Sequence, residues 1–270
     1  MSAVQAKKIN IVQAINMALH DAMELDSSVV VLGEDIADRE GGGVFKCTAG
    51  LSTKFGTGRV KSTPIAEQAI VGAAVGGALA GLRPVAEIML MNFTTVAMDQ
   101  IVNHAAKLRF MTGGQTHVPL VIRTTTGAGF GTGGQHADYL EAWFAHTAGL
   151  KVVAPSTPAD AYGLMLSCIF DDDPCIFIEN LPLYFVPGDA PLPGERVPIG
   201  KAKVVQQGTD ITLISYSKTL HEVIAVAKSL AKEGISAEVI DLRTISPLDM
   251  PTILASVAKT APDRPRLMRR

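Results

Sequence analysis

At 270 residues and a formal net charge of −2, the chain is long enough for one large domain or two ordinary ones. Its 47% hydrophobic and 19% charged residues describe a globular chain, without the basic footprint of a nucleic-acid binder or the field that draws a protein to an anionic membrane. Three scattered cysteines, Cys47, Cys168 and Cys175, exclude a disulfide framework and a CxxC zinc site. The first 26 residues hold no uninterrupted apolar run of the kind a secretion signal needs, so a reducing, cytoplasmic setting is expected.

Ile11, Ile15, Leu19 and Met23 recur every fourth residue and predict an amphipathic helix. Val29 to Leu32 is a continuous apolar run, as expected of a strand buried on both faces of a parallel sheet. Glu34 then falls at that strand's carboxyl end, where open α/β sheets place their ligands. An acidic residue after a strand is also commonplace. Arg39 to Gly43 reads as a loop, and Lys54 to Arg59 as a turn-rich connection.

Thr63-Pro64 reads as an N-cap followed by proline at the first helical position. From Ile65 to Leu82 only Glu67 and Gln68 are polar. The length invites a transmembrane assignment, but the two polar residues and the glycines argue for a globular helix. Gly72, Gly76, Gly77 and Gly81 would each weaken an exposed helix by roughly 1 kcal/mol, so the helix is expected to be buried all round. Glu67 has two readings. It is a first-turn acid complementing the helix dipole, or a desolvated carboxyl able to share a proton with a ring nitrogen.

Val85 to Leu90 predicts a strand, with Met89, Met91 and Phe93 alternating onto one face as core or as a flat ledge for a heterocycle. Thr95 to Met111 predicts a helix and Pro119 to Arg123 a strand. The run at 129–134 matches the glycine pattern of a dinucleotide loop, yet no acidic residue follows a second strand about 20 positions on. Such a loop also lets a side chain approach a ligand closely, and the side chain that follows it is His136, a candidate for acid–base work. Trp143, the single tryptophan, is expected to pack this region onto the core.

Leu150 to Ala154 predicts a strand. Thr157 caps a helix running to about Ile169, with Asp160 at the third position in place of the usual Glu. Asp171, Asp172 and Asp173 form either a solvated turn or an oxygen-rich place for a hard cation before the strand Cys175 to Glu179. Residues 186–200, with four prolines and three glycines, read as a linker. Two strands (Thr209 to Tyr216, Ser236 to Leu242) and two helices (Thr219 to Glu233, Met250 to Val257) follow, before a proline-rich basic tail. The expected architecture is α/β: a mostly parallel sheet flanked by helices over 1–185, the linker, and a partial second α/β domain over 201–270.

Taken together, Glu67, the Met89/Phe93 ledge and His136 resemble the β subunit of a 2-oxo acid dehydrogenase, the thiamine-diphosphate-dependent decarboxylating component of pyruvate, branched-chain and acetoin types. The resemblance runs from about Ile11 to Thr260. It rests on LGED at 32–35, TPIAEQAIVGAAVGGALAGLRPVAE at 63–87, MNFTTVAMDQIVNHAAK at 91–107, EAWFAHTAGLKVV at 141–153, CIFDDDPCIFIEN at 168–180 and IDLRTISPLD at 240–249. It implies a transketolase-like pyrimidine-binding fold. Glu67 would contact the aminopyrimidine ring nitrogen, with Glu34, Met89 and Phe93 also at the cofactor, and His136 would sit near the reacting carbon and assist acyl transfer to a lipoyl arm. It implies potassium held largely by backbone oxygens at Leu120, Cys168, Ile169, Asp171 and Asp173.

The family's GDG motif for diphosphate and Mg²⁺ does not occur in this sequence. The resemblance therefore implies an α subunit that holds Mg²⁺ and the diphosphate in an α2β2 heterotetramer, and a lipoyl-bearing acyltransferase core as a further partner. Two features depart from the family. His136-Ala137-Asp138-Tyr139 stands where small polar residues usually follow the histidine, and the second domain is shorter than the family's, as a truncated form would be. Pyruvate is the favoured 2-oxo acid. The competing readings are a branched-chain or acetoin enzyme, a nucleotide-binding oxidoreductase built on the 129–134 loop, and a shortened subunit that only pairs with α.

Overall fold

The computed structural model describes residues 8–128 and 131–261. In chain order, the strands are β1 (Lys8–Ile9), β2 (Val29–Glu34), β3 (Val60–Thr63), β4 (Arg83–Leu90), β5 (Val121–Thr126), β6 (Lys151–Val153), β7 (Cys175–Asn180), β8 (Gly188–Asp189), β9 (Lys203–Gln206), β10 (Ile211–Ser215), β11 (Ala237–Asp241) and β12 (Thr244–Ser246). The helices are α1 (Ile11–Leu25), α2 (Leu51–Phe55), α3 (Glu67–Leu79), α4 (Leu108–Met111), α5 (Glu141–Ala145), α6 (Pro158–Ile169), α7 (Ser217–Lys232) and α8 (Met250–Thr260).

Seven strands form the main sheet in the order β12-β6-β7-β5-β4-β2-β3, parallel throughout except for β12. The central strands are largely apolar on both sides, and successive side chains enter different cores. Val29, Val31, Val85, Val121 and Phe177 pack under α1 and α6. Leu32, Ala86, Ile122, Val152 and Ile176 face α3 and the 100–106 segment. This is the expected doubly covered α/β sheet. A smaller sheet, β10-β11-β9, packs Ala237 and Val239 against Leu220 and Ala227 of α7. The strand β9 is an addition to the two strands expected there.

Several local expectations are corrected. Thr63 does not cap α3. It ends β3, paired with Glu34, and the cap position falls to Ala66, which makes no side-chain cap bond. Nor is α3 buried all round. Ile70, Val71, Ala74, Val75 and Ala78 face the sheet, whereas Ala69, Ala73, Gly76 and Leu79 are exposed, because the sheet covers only one side of the helix. The expected helix from Thr95 is a 3₁₀ turn (Met91–Ala97), a π-helical turn (Gln100–Ala105) and then α4. Trp143 is half exposed and does not anchor its segment, a role taken by the buried Phe144.

The 186–200 stretch is docked, not free. Its β8 pairs with β1, and Val197 donates to the Gly163 carbonyl at 3.1 Å while its own carbonyl accepts from Ser167. Thr157 caps α6 as expected, accepting from the Asp160 N–H at 3.2 Å. No helix among the described residues is long and apolar enough to cross a membrane.

Candidate active site

Four adjacent parallel strands, β3, β2, β4 and β5, end on the same edge of the main sheet. The chain leaving each of them carries one of the expected residues. Glu34 is the last residue of β2, Glu67 opens α3 just beyond β3, Phe93 lies in the turn after β4, and His136 lies in the loop after β5. Parallel strands bring these loops to one edge because their carboxyl ends point the same way.

Glu67 is buried, and beside it lies a cleft of about 590 Å³ lined also by Ile65, Ala66, Gln68, Gly72, Val96 and Gln100. That volume suits a heteroaromatic ligand. Gln100 contributes a buried polar atom with no partner among the described residues, its Oε1. Ile65 and Val96, both on the cleft rim, are exposed although apolar. Burial raises the Glu34 carboxyl above its ordinary range, helped by the negative charges of Glu67, Asp35 and Glu87. Glu34 and Glu67 are thus electrostatic neighbours, as two carboxyls serving one site would be.

The apolar ledge is built differently from the expectation. The β4 register shifts between Ile88 and Leu90, and the 3₁₀ turn begins at Met91, so alternation ends there. Met91 is fully buried, its sulfur accepting from the Leu140 N–H, while Met89 and Phe93 are half-buried. Phe93 meets His136 edge-on, with ring centroids 5.4 Å apart and planes at 87°. Gly129 and Phe130 lie outside the described residues. Between β5 and α5 at Glu141 no helix opens among the described residues, so the glycine loop does not lead directly into the phosphate-holding helix terminus of a dinucleotide fold.

The expected cation residues gather at the carboxyl end of α6 and the neighbouring strand starts. The carbonyls of Ile169 and Asp171 accept from Arg83 at 3.1 and 3.0 Å, Leu120's accepts from the Cys175 N–H, and Cys168's from the Asp171 N–H. The three aspartate carboxylates are already paired: Asp171 with Lys151, Asp172 with Arg83, and Asp173 with Arg109 and Lys151. Only main-chain oxygens, each with a second lone pair, remain for a metal ion. The described residues contain no metal-ready cluster of His, Cys, Asp and Glu.

Sequence reasoning passed over the charged group beneath the site. Arg123 is fully buried and grips Glu179 through two bonds of 2.7 and 2.8 Å, with a further contact to Glu87. Tyr184 donates to the same Glu179 carboxylate. The signal was available: PVAEIML, LVIRTTT and CIFIEN each hold one charge inside an apolar strand, and buried charges must pair.

The transketolase pyrimidine-binding domain family matches residues 7–186, and the transketolase C-terminal domain family matches residues 200–262. The β subunit of an acetoin:2,6-dichlorophenolindophenol oxidoreductase from Cupriavidus necator is 46% identical over 263 residues, covering 94% of this chain and 78% of that one. The pyruvate dehydrogenase E1 β subunit of Acholeplasma laidlawii is 49% identical, covering 93% and 77%, and the human mitochondrial one is 43% identical, covering 96% and 73%. A solved split-gene transketolase, described as an inactive β4 tetramer, superimposes with a TM-score of 0.77 at 22% identity over 94% of this chain and 77% of its own, a likeness of fold. The chain belongs to the transketolase-type pyrimidine-binding family, among the β subunits of thiamine-dependent 2-oxo acid dehydrogenase E1 components.

Proposed function

We propose that this chain is the β half of an α2β2 E1 component that oxidatively decarboxylates a 2-oxo acid, pyruvate in the first instance, and passes the acyl group to a lipoyl arm of an acyltransferase core. The observation that carries the reading is Glu67, buried at the start of α3 beside an open cleft, with the Phe93–His136 pair on the same sheet edge. Thiamine diphosphate, when bound, supplies the electron sink for decarboxylation. Glu67 would hold a proton at the pyrimidine ring nitrogen, Glu34 would lie beside it at the cofactor, and Met89 and Phe93 would pack on the ring. His136 places a proton near the reacting carbon during acyl transfer.

The α subunit would hold Mg²⁺ and the diphosphate. It would also cover Ile65, Val96 and the outer face of α3, apolar surface that a lone subunit leaves in water. Backbone oxygens of Leu120, Cys168, Ile169, Asp171 and Asp173 would hold potassium, a donor set suited to a hard cation. Free, buried Cys47, Cys168 and Cys175 accord with a reducing, cytoplasmic setting.

The test is co-expression with an α subunit and an assay of pyruvate, branched-chain 2-oxo acids and acetoin. Thiamine-dependent turnover that requires both chains is expected, with pyruvate preferred. Preference for acetoin would favour the second reading, which the Cupriavidus necator relative supports. Turnover by this chain alone at the rate of the pair would refute the shared site.

A further inference from the structure

The loop that carries His136 is anchored two residues downstream of the imidazole. Asn92 Nδ2 donates to Asp138 Oδ2 at 2.6 Å, and the Asp138 N–H donates back to Asn92 Oδ1 at 3.2 Å. Thr126 Oγ1 donates to the Asp138 carbonyl at 2.5 Å. Upstream, among the described residues, the hold is weaker: Asn92 Nδ2 reaches the Gly134 carbonyl only at 3.5 Å, and the His136 N–H donates to the Gly133 carbonyl at 3.4 Å. A Cβ placed on Gly131, Gly133 or Gly134 would meet nothing within 4 Å, and all three glycines are exposed. Asn92 and Phe93 are consecutive residues of one 3₁₀ turn, so the anchor and the ring that His136 meets move as one body.

We propose that Asn92 and Asp138 are a positioning pair that sets His136 against Phe93 and so governs acyl transfer more than decarboxylation. The proposal rests on the reading of His136 given above. Misplacing a reacting group by about 1 Å can cost a hundredfold in rate. A hydrogen-bonded clasp with one donor facing one acceptor is also easily inverted. Asn92→Asp sets two carboxylates against each other. Adding Asp138→Asn restores one donor and one acceptor, and the 138 N–H keeps its acceptor.

The experiment measures two rates in the complex with α: acyl transfer to a lipoyl domain and dye-linked oxidation of the 2-oxo acid, which bypasses it. For Asn92→Asp, transfer is expected to fall about tenfold or more while dye-linked oxidation stays within about twofold, and the exchange variant should recover most of the loss. In the isolated chain, carbethoxylation of His136 by diethylpyrocarbonate, read by peptide mass spectrometry, should speed up in Asn92→Asp and return in the exchange variant. Both rates falling together, neither changing, or an exchange variant as poor as the single one would overturn the proposal. Glu67→Gln separates the two ideas. If it retains both rates, the reading of the site fails, and the His136 modification rates still judge the clasp.

Discussion

Arg123 sits inside the sheet with Glu179 on β7 and Glu87 on β4, and burial raises the Glu179 carboxyl even against the lowering effect of Arg123. The same burial pushes the neighbouring Cys47 thiol up to about 12, so it stays protonated and inert at neutral pH. A buried pair of this kind adds little net stability, but breaking it strands a charge. Arg123→Ala leaves two carboxylates facing each other in the core and should cost about 3–5 kcal/mol in a urea melt. A loss below about 1 kcal/mol would mean that water already reaches the group. Of the residues expected from the sequence, Glu67, Glu34, Phe93 and His136 come to one sheet edge: Glu34, Phe93 and His136 from their place after a strand, Glu67 from its place in the first turn of a helix. Met89 and Met91 do not share the face that alternation leads one to expect, since the register shift in β4 between Ile88 and Leu90 leaves no mark in the apolar pattern.

At the scale of elements, β2, β4, β5, β6 and β7 were legible because short, mostly apolar runs such as Val29 to Leu32 and Cys175 to Ile178 fit a sheet buried on both faces. Helix ends were legible where a side chain makes the cap. Thr157 was, because its hydroxyl accepts the Asp160 N–H and Pro158 occupies the first turn. Thr63-Pro64 carries the same signature yet ends a strand, because pairing of β3 with β2 fixes Thr63 opposite Glu34. Thr157→Ala should lower stability by about 1 kcal/mol in the same denaturant assay. Gly149 is a sharper case. Its φ is +99°, and a Cβ there would stand 2.0 Å from the Ala106 carbonyl oxygen. Gly149→Ala should therefore destabilise by more than about 1 kcal/mol, and a neutral result would mean that the Ala106 turn gives way freely.

Across the whole molecule, the two sheets are joined through β12, which leaves the smaller unit and pairs antiparallel with β6 of the main sheet. Asp241 lies at this junction, fully buried, accepting from Ser156 Oγ at 3.0 Å and lying near Asp160 and Arg243. Burial, with Asp160 adding to it, pushes its carboxyl up from 3.8 to about 6. A carboxyl raised on folding stabilises the fold most below its unfolded value, and that contribution is lost as pH rises through about 6. Asp241→Asn should therefore raise the melting temperature relative to wild type more at pH 8 than at pH 5. An equal shift at both would show that Asp241 does not titrate there. Nor did the sequence reveal the docking of 186–200, which has linker composition while its hold on α6 depends on tertiary contacts such as Val197 on Gly163.

The central claim is that the Glu67 carboxyl holds a proton for a bound pyrimidine, and a single substitution in the reconstituted α/β complex tests it most directly. Glu67→Gln keeps the shape and removes the acidic group, and thiamine-dependent decarboxylation should fall by about 10²–10⁴-fold with the melting temperature unchanged or higher. A variant that assembles with α and decarboxylates at the wild-type rate would contradict the account.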